Sequence, residues 1–370
     1  MTPTVSELEF TQQLSANPKS AQDRDAILAA PGFGDYFTDH TAVVDFSVDA
    51  DGQGNWKNAR IEPYGPITLD PAAAVLHYGQ EIFEGLKAYR HADGTIWTFR
   101  PEANAARLNR SAARLALPQL PEQVFLDAIR GLVTADQDWV PTRDGDSLYL
   151  RPFMIATEAF LGVRPAREVS FRVIASPAGN YFGGELKPVS IWISRNYARA
   201  GRGGTGAAKC GGNYAASLAA QLEAEANDCK QVLFLDSFND NAVEELGGMN
   251  VFFVFKDGRL VTPALTGTIL EGVTRSSVMQ LARDRGLDVQ EREITLDEWR
   301  DGIASGEISE VFACGTAAVI TPIGLLKDES ESIGAADAKA GEVTMSIREQ
   351  LLGIQTGTVE DTHGWLTRLA

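Results

Sequence analysis

Apolar and polar positions recur along this chain in two periods, and the switches between them mark out its elements. TAVVDFSV (41–48) and WKNARIEPY (56–64) flank the turn DADGQGN (49–55), which is the pattern of a β-hairpin. GTIWTFR (94–100) reads as a buried strand meeting Pro101. PEANAARLNRSAARLAL (101–117) then has helical spacing with proline in its first turn, and PEQVFLDAIRGLVTAD (121–136) repeats that arrangement. SLYLRPFMIA (147–156) and VSFRVIASP (169–177) follow as strands. The second half alternates in the same way, from the strand SIWISRN (190–196) through a glycine run to the helix NYAASLAAQLEAEANDC (213–229) and the strand QVLFLD (231–236). EELGGMN (244–250) is a loop between apolar strands, NVFFVF (250–255) is the second of them, and KDGR (256–259) turns the chain. A helix starts near Thr274, which serves as its cap, and EVFACGTAAVITPI (310–323) is a strand, a Gly-Thr turn and another strand.

Strands and helices interspersed over 370 residues exceed a single comfortable core, so the pattern predicts a two-domain α/β (α+β) protein. SPAGNYFGGELKP (176–188) breaks both periodicities. The expected division is an N-terminal domain over 1–178, a linker at 179–188 and a C-terminal domain over 189–370 that carries Lys209.

Charge and cysteine usage narrow the function without naming it. Against 33 Lys and Arg stand 50 Asp and Glu, a formal net charge of -17 that disfavours nucleic acid or an anionic membrane as partner. The three cysteines, Cys210, Cys229 and Cys314, have no CxxC spacing and too few histidines nearby for a metal site. A reducing, cytoplasmic compartment is expected, as neither a signal peptide nor an apolar run of spanning length is recognisable.

Candidate chemistry centres on Lys209, in GGTGAAKCGGNYAASL (203–218), where no charged residue intervenes between Arg202 and Glu223. A desolvated lysine loses its proton more easily and becomes a nucleophile toward an aldehyde, which is how Schiff-base enzymes hold pyridoxal 5′-phosphate. A lysine in a glycine-rich surface loop is the other reading of this segment alone. Phosphate-loop readings fail: GRGGTG (201–206) lacks an acid at the end of a second strand, and Ala208 and Cys210 stand where a Walker motif needs glycine and a hydroxyl residue. Pyridoxal phosphate makes further demands, a carboxylate for its ring nitrogen and cationic or N–H groups for its phosphate. Glu245 is the candidate carboxylate, with Glu244 better placed as a solvated turn acid. Arg100, the GVTR helix start (272–275) and the Gly315-Thr316 turn are candidate phosphate ligands.

These segments together resemble the branched-chain amino acid aminotransferases, fold-type IV pyridoxal phosphate enzymes. FGDYFTDH (33–40), LHYGQEIFEGLKAY (76–89), FRPEANAARLNRSAARLALP (99–118), LYLRPFMIA (148–156), GGTGAAKCGGNYAASL, EELGGMN, LEGVTRSSV (270–278) and CGTAAVITPI (314–323) carry the likeness in the family's order. The resemblance implies a D-amino acid transaminase-like fold of mixed sheets or a barrel with surrounding helices, and a homodimer. It implies that Lys209 forms the Schiff base and shuttles the proton, Tyr214 bonds the ring oxygen, and Glu245 holds the ring-nitrogen proton. Arg100, Gly272, Val273, Thr274 and Thr316 then bind phosphate. Phe33, Tyr78, Phe83, Tyr149 and Tyr181 line the substrate pocket, while Arg151 and the Thr316-Ala317 backbone receive carboxylates. The implied reaction is reversible amino transfer from leucine, isoleucine or valine to 2-oxoglutarate. D-Amino acid transaminase and 4-amino-4-deoxychorismate lyase are alternatives on the same fold, but are shorter and lack the FTDH and LHYGQEIFEG segments. Two departures stand out: Gly248 replaces a threonine of some family members, and no CxxC pair follows the Gly-Thr turn.

Overall fold

The computed structural model describes residues 8–179, 186–239 and 241–370. The chain forms two compact units, Met1–Gly183 with Ala208–Gly211 and Ile354–Ala370, and Gly184–Ala207 with Gly212–Gly353. The expected linker at 179–188 lies mostly outside the described residues. Two short segments depart from a simple division into halves: the lysine segment and the C-terminal residues both belong to the first unit.

The first unit is built on a nine-stranded sheet, counted among the described residues. Its strands are β1 (Thr11–Gln12), β2 (His40–Val48), β3 (Gly54–Pro63), β4 (Glu81–Phe83), β5 (Leu86–Arg90), β6 (Ile96–Phe99), β7 (Ser147–Ala156), β8 (Glu168–Ala178) and a C-terminal strand, Leu366–Arg368. The order is β1-β3-β2-β8-β7-β5-β6 followed by the C-terminal strand, with β4 also on β7. The predicted hairpin forms as β2 and β3, closing at Val48 opposite Gly54. Helices α1 (Ala21–Ala29), α2 (Ala74–Tyr78), α3 (Pro101–Arg114) and α4 (Glu122–Ala135) belong to this unit. On α4 the buried Val124, Phe125, Ala128, Ile129, Leu132 and Val133 recur at helical spacing and face β2, β3 and β8. Each large side chain so buried contributes roughly 1.5–3 kcal/mol before the entropy of ordering it is subtracted.

Lys209 joins this unit through its neighbours. Ala208 and Cys210 are buried in the same apolar core as α4, so the segment is held by a residue on either side of the lysine. The C-terminal strand joins by antiparallel pairing with β6, Leu366 opposite Phe99.

The second unit has its own nine-stranded sheet among the described residues: β9 (Val189–Ile193), β10 (Gln231–Leu235), β11 (Val243–Leu246), β12 (Asn250–Phe255), β13 (Arg259–Thr262), β14 (Asp288–Glu291), β15 (Ile308–Gly315), β16 (Val319–Lys327) and β17 (Ser332–Gly334). Their order is β11-β10-β9-β16-β15-β12-β13-β14, with β17 on β16. The helices are α5 (Gly211–Ala215), whose first residue belongs to the first unit, α6 (Leu218–Ala226), α7 (Val273–Asp284), α8 (Leu296–Ser305) and α9 (Glu342–Thr356), whose last residues, from Ile354, belong to the first unit. The helix expected over 213–229 is therefore interrupted. The Ser217 hydroxyl bonds back to the Asn213 carbonyl at 2.9 Å and its N–H reaches Tyr214 rather than continuing the i−4 ladder, which separates α5 from α6.

Among the described residues, no helix is long and apolar enough to cross a membrane. Nor does any group of three His, Cys, Asp or Glu among them suit a metal ion. The three cysteines are buried and unbonded to one another, and burial pushes the Cys314 thiol up to about 12.

Candidate active site

In the first unit, the Lys209 main chain is clamped at both polar groups. Its N–H donates to the Ser111 hydroxyl at 2.9 Å, and its carbonyl accepts the Phe83 N–H at 2.9 Å. The amine lies 4.7 Å from the centre of the Phe83 ring. Burial pushes its pKa down to about 8, with Arg107 lowering it further and Glu84 opposing both. The local sequence around Lys209 is uncharged, but the fold brings charges to it from the end of β4, from α3 and from β7.

Aromatic and guanidinium groups predicted from the sequence gather beside this lysine. Arg151 stacks its guanidinium 4.6 Å from the Phe83 ring centre and donates to the Tyr149 hydroxyl at 2.8 Å. Tyr149 in turn meets Phe33 edge to face at 5.2 Å. The Arg151 Nε is buried without a hydrogen-bond partner, a donor that a carboxylate can satisfy. Tyr78 is tied elsewhere, its hydroxyl donating to the Leu161 carbonyl. Tyr181 lies outside the described residues.

Arg100 follows β6 and forms the N-cap of α3, where it adopts a left-handed φ of 50° immediately before Pro101. Its N–H donates to the Trp365 carbonyl at 2.7 Å and its guanidinium lies 5.3 Å from the Trp365 ring centre. The C-terminal strand segment thus orients this arginine, a dependence on remote chain invisible from FRPEANAAR.

In the second unit, Glu245 is buried on β11 and not in a loop. Its Oε1 meets the buried Arg199 guanidinium at 2.7 Å and accepts the Leu270 N–H at 2.9 Å. Glu244 corrects the expectation of a solvated acid. It is buried, its carboxylate accepts the Thr268 hydroxyl, and desolvation raises its pKa against that bond. Strand pairing with β10 explains both, since it carries the EEL backbone into the sheet.

GGMN (247–250) then acts as a hub. A Cβ on Gly248 would stand 3.7 Å from the Tyr214 ring, and one on Gly315 would stand 3.2 Å from Met249. The Asn250 amide donates to the Leu270 carbonyl at 3.0 Å, beside the start of α7. Tyr214, Glu245, the α7 start and the Gly315-Thr316-Ala317 turn between β15 and β16 are therefore linked within this unit. Thr274 is not the helix cap: Gly272 is, and it offers no side chain to the first-turn N–H groups. An uncapped N-terminus of a 12-residue helix suits a phosphate. A Cβ on Gly272 would fall 2.2 Å from the Asn250 Oδ1, so Gly272→Ala should displace that amide and cost about 1–3 kcal/mol. Thermal melting of the variant checks this, and an unchanged Tm would contradict it.

Sequence reading missed Arg199, Glu84, Arg107 and Ser111. Nothing in RNYARAG distinguishes Arg199 from a surface arginine. A signal did exist for α3, where Asn104, Arg107 and Ser111 share the buried face with Ala105, Leu108 and Ala112.

Residues 81–326 match the family model described as amino-transferase class IV. The chain is 58% identical over 366 residues to the branched-chain-amino-acid aminotransferase of Mycolicibacterium smegmatis, covering 98% of each. The chain belongs to the branched-chain-amino-acid aminotransferase family. Two solved members of that family share its fold. One, from Escherichia coli, has a TM-score of 0.73 at 27% identity, over 90% of this chain and 99% of the other. The second, from Thermobaculum terrenum, was solved in its pyridoxal phosphate (holo) form and has a TM-score of 0.71 at 26% identity, over 90% and 98%. Class IV aminotransferases use pyridoxal phosphate, and the residues here fit that group. Within the first unit stands an amine with a lowered pKa; within the second stand a buried carboxylate held by Arg199 and a helix start with no side-chain cap.

Proposed function

We propose that this aminotransferase moves the amino group of leucine, isoleucine or valine to 2-oxoglutarate, giving the branched 2-oxo acid and glutamate. The observation that carries the reading is the amine of Lys209, depressed to about 8 by burial and set among Phe83, Tyr149 and Arg151. Lys209 would hold pyridoxal 5′-phosphate covalently, and the bound cofactor supplies an electron sink for the substrate's Cα. Lys209 Nζ would be the base that takes the proton from the substrate's Cα and carries it for its return. The Glu245 carboxylate, fixed by Arg199, keeps a proton on the ring nitrogen, and Tyr214 bonds the ring oxygen. Arg100, the Gly272, Val273 and Thr274 main chain and Thr316 take the phosphate.

Phe33, Phe83 and Tyr149 favour side chains that demand no hydrogen bonds, as those of the branched-chain amino acids do. The second substrate brings an extra carboxylate. The unpartnered Nε of Arg151 supports that role for it, with the Thr316-Ala317 main chain at the other carboxylate. The same reading makes the enzyme a cytoplasmic homodimer, its mass to be read from sedimentation.

Borohydride reduction of the holoenzyme followed by peptide mapping tests the reading, with reduced cofactor expected on Lys209. Recapture of cofactor by the stripped enzyme should accelerate as pH rises through about 8, because the neutral amine is the nucleophile and protonation below that pH removes it. A pH-independent rate, or label on another lysine, would overturn the assignment. Transfer from leucine to 2-oxoglutarate with none from D-alanine separates this reading from a D-amino acid transaminase.

A further inference from the structure

We propose that Glu84 is a positioning residue for Lys209, closing with Arg107, Asn104 and Ser111 a ring of buried polar contacts that grips the lysine segment from two elements. The ring can be followed bond by bond. Glu84 is fully buried, and its Oε1 accepts Arg107 Nε at 2.8 Å while its Oε2 accepts Arg107 Nη2 at 2.7 Å and the Asn104 amide at 2.8 Å. Asn104 and Arg107 stand on the buried face of α3, and Ser111, one turn further along that face, receives the Lys209 N–H at 2.9 Å. Phe83, the residue before Glu84, donates its N–H to the Lys209 carbonyl at 2.9 Å and lays its ring beside the amine. The lysine is thus pinned by α3 on one side and β4 on the other, and the Glu84 fork locks those two elements together.

A buried ion pair is an uncertain source of stability, since well-packed apolar residues replacing both partners can do as well. Its position beside the lysine gives it a different use. Of the charged and titratable groups facing the amine, Glu84 and Tyr149 favour its protonated form, whereas Arg107 and Arg151 disfavour it. Glu81, at the start of β4, is engaged by the Gly211 N–H. The pair of Glu84 and Arg107 therefore presents both signs to the amine in fixed geometry, so either partner alone biases it. The inference rests on the reading of Lys209 as the cofactor lysine.

Trace acetylation of the full-length, cofactor-stripped chain with acetic anhydride across pH, quantified at Lys209 by peptide mapping, reads the amine without requiring turnover. The wild-type midpoint is expected near 8. Glu84→Gln leaves the Arg107 charge unopposed and should lower it by about one pH unit, whereas Arg107→Gln leaves the carboxylate unopposed and should raise it by about as much. A role confined to packing would move both variants the same way or neither, and either result overturns the proposal. Should one variant fail to fold, the sign of the other decides. Should both fail, the double variant Glu84→Gln/Arg107→Gln has no uncompensated buried charge. It must titrate at or above the wild-type midpoint, because Arg107 outweighs Glu84 at the amine, and a lower midpoint refutes the idea. Absence of borohydride label from Lys209 would instead remove its cofactor role while leaving these midpoints intact.

Discussion

Lys209→Ala should lower the rate of amino transfer by on the order of 10⁴-fold or more, because the proposed mechanism asks one amine both to hold the cofactor and to move the proton. The visible absorbance of the bound cofactor should disappear with it. The fold should survive, since the bonds to Ser111 and Phe83 are made by the Lys209 main chain and the core contacts are made by Ala208 and Cys210. Truncation also removes an amine that burial disfavours in its charged form. The cofactor-free variant should accordingly melt within a few degrees of the cofactor-free parent. Steady-state assay with leucine and 2-oxoglutarate, an absorption spectrum and a melting curve check the three statements together. Residual turnover near the parent's would eliminate Lys209 as the catalytic amine, while a collapsed fold would contradict the main-chain clamp.

Glu245→Gln should cost on the order of 10²-fold in rate or more, the scale of losing one preorganised electrostatic partner at a reacting group. A second loss accompanies it. Arg199 is buried against that carboxylate at 2.7 Å, and neutralising one member of a buried pair costs about 3–5 kcal/mol because the other charge remains. The variant should therefore melt lower as well as turn over more slowly, which by itself would confuse a catalytic role with a structural one. The double variant Glu245→Gln/Arg199→Met separates them. It has no stranded charge, so the melting temperature should recover most of the loss, whereas the rate should stay low. If stability and rate recovered together, Glu245 would be a structural residue and the ring-nitrogen role would fall.

Much of this site could be read from local pattern. GTIWTFR running into Pro101 predicted a strand, an arginine and a helix start, and the structure has β6, Arg100 as N-cap and α3 in that order. The lysine stood out because small uncharged neighbours surrounded it. Where local pattern misled, tertiary contacts had overridden it. EELGGMN has loop composition, yet pairing with β10 draws Glu244 and Glu245 into a sheet and buries both. The run 213–229 has uninterrupted helical spacing, but the Ser217 hydroxyl takes a backbone acceptor and divides it.

Periodicity and ordered motifs thus determined most of the elements, the mixed α/β class, the family likeness and the candidate amine, because each depends on residues close in sequence. Only the tertiary structure decided what surrounds that amine and its candidate partners. Lys209 belongs to the first unit because Ala208 and Cys210 bury themselves in that unit's core. Arg107 and Glu84 reach it from positions far back in the chain, Trp365 orients Arg100 from the opposite end of the sequence, and Arg199, well before it in the chain, secures Glu245. Electrostatic and hydrogen-bond partnerships act through space over a few ångströms, so no spacing along the chain encodes them; they exist once strands and helices have fixed which distant residues share a face.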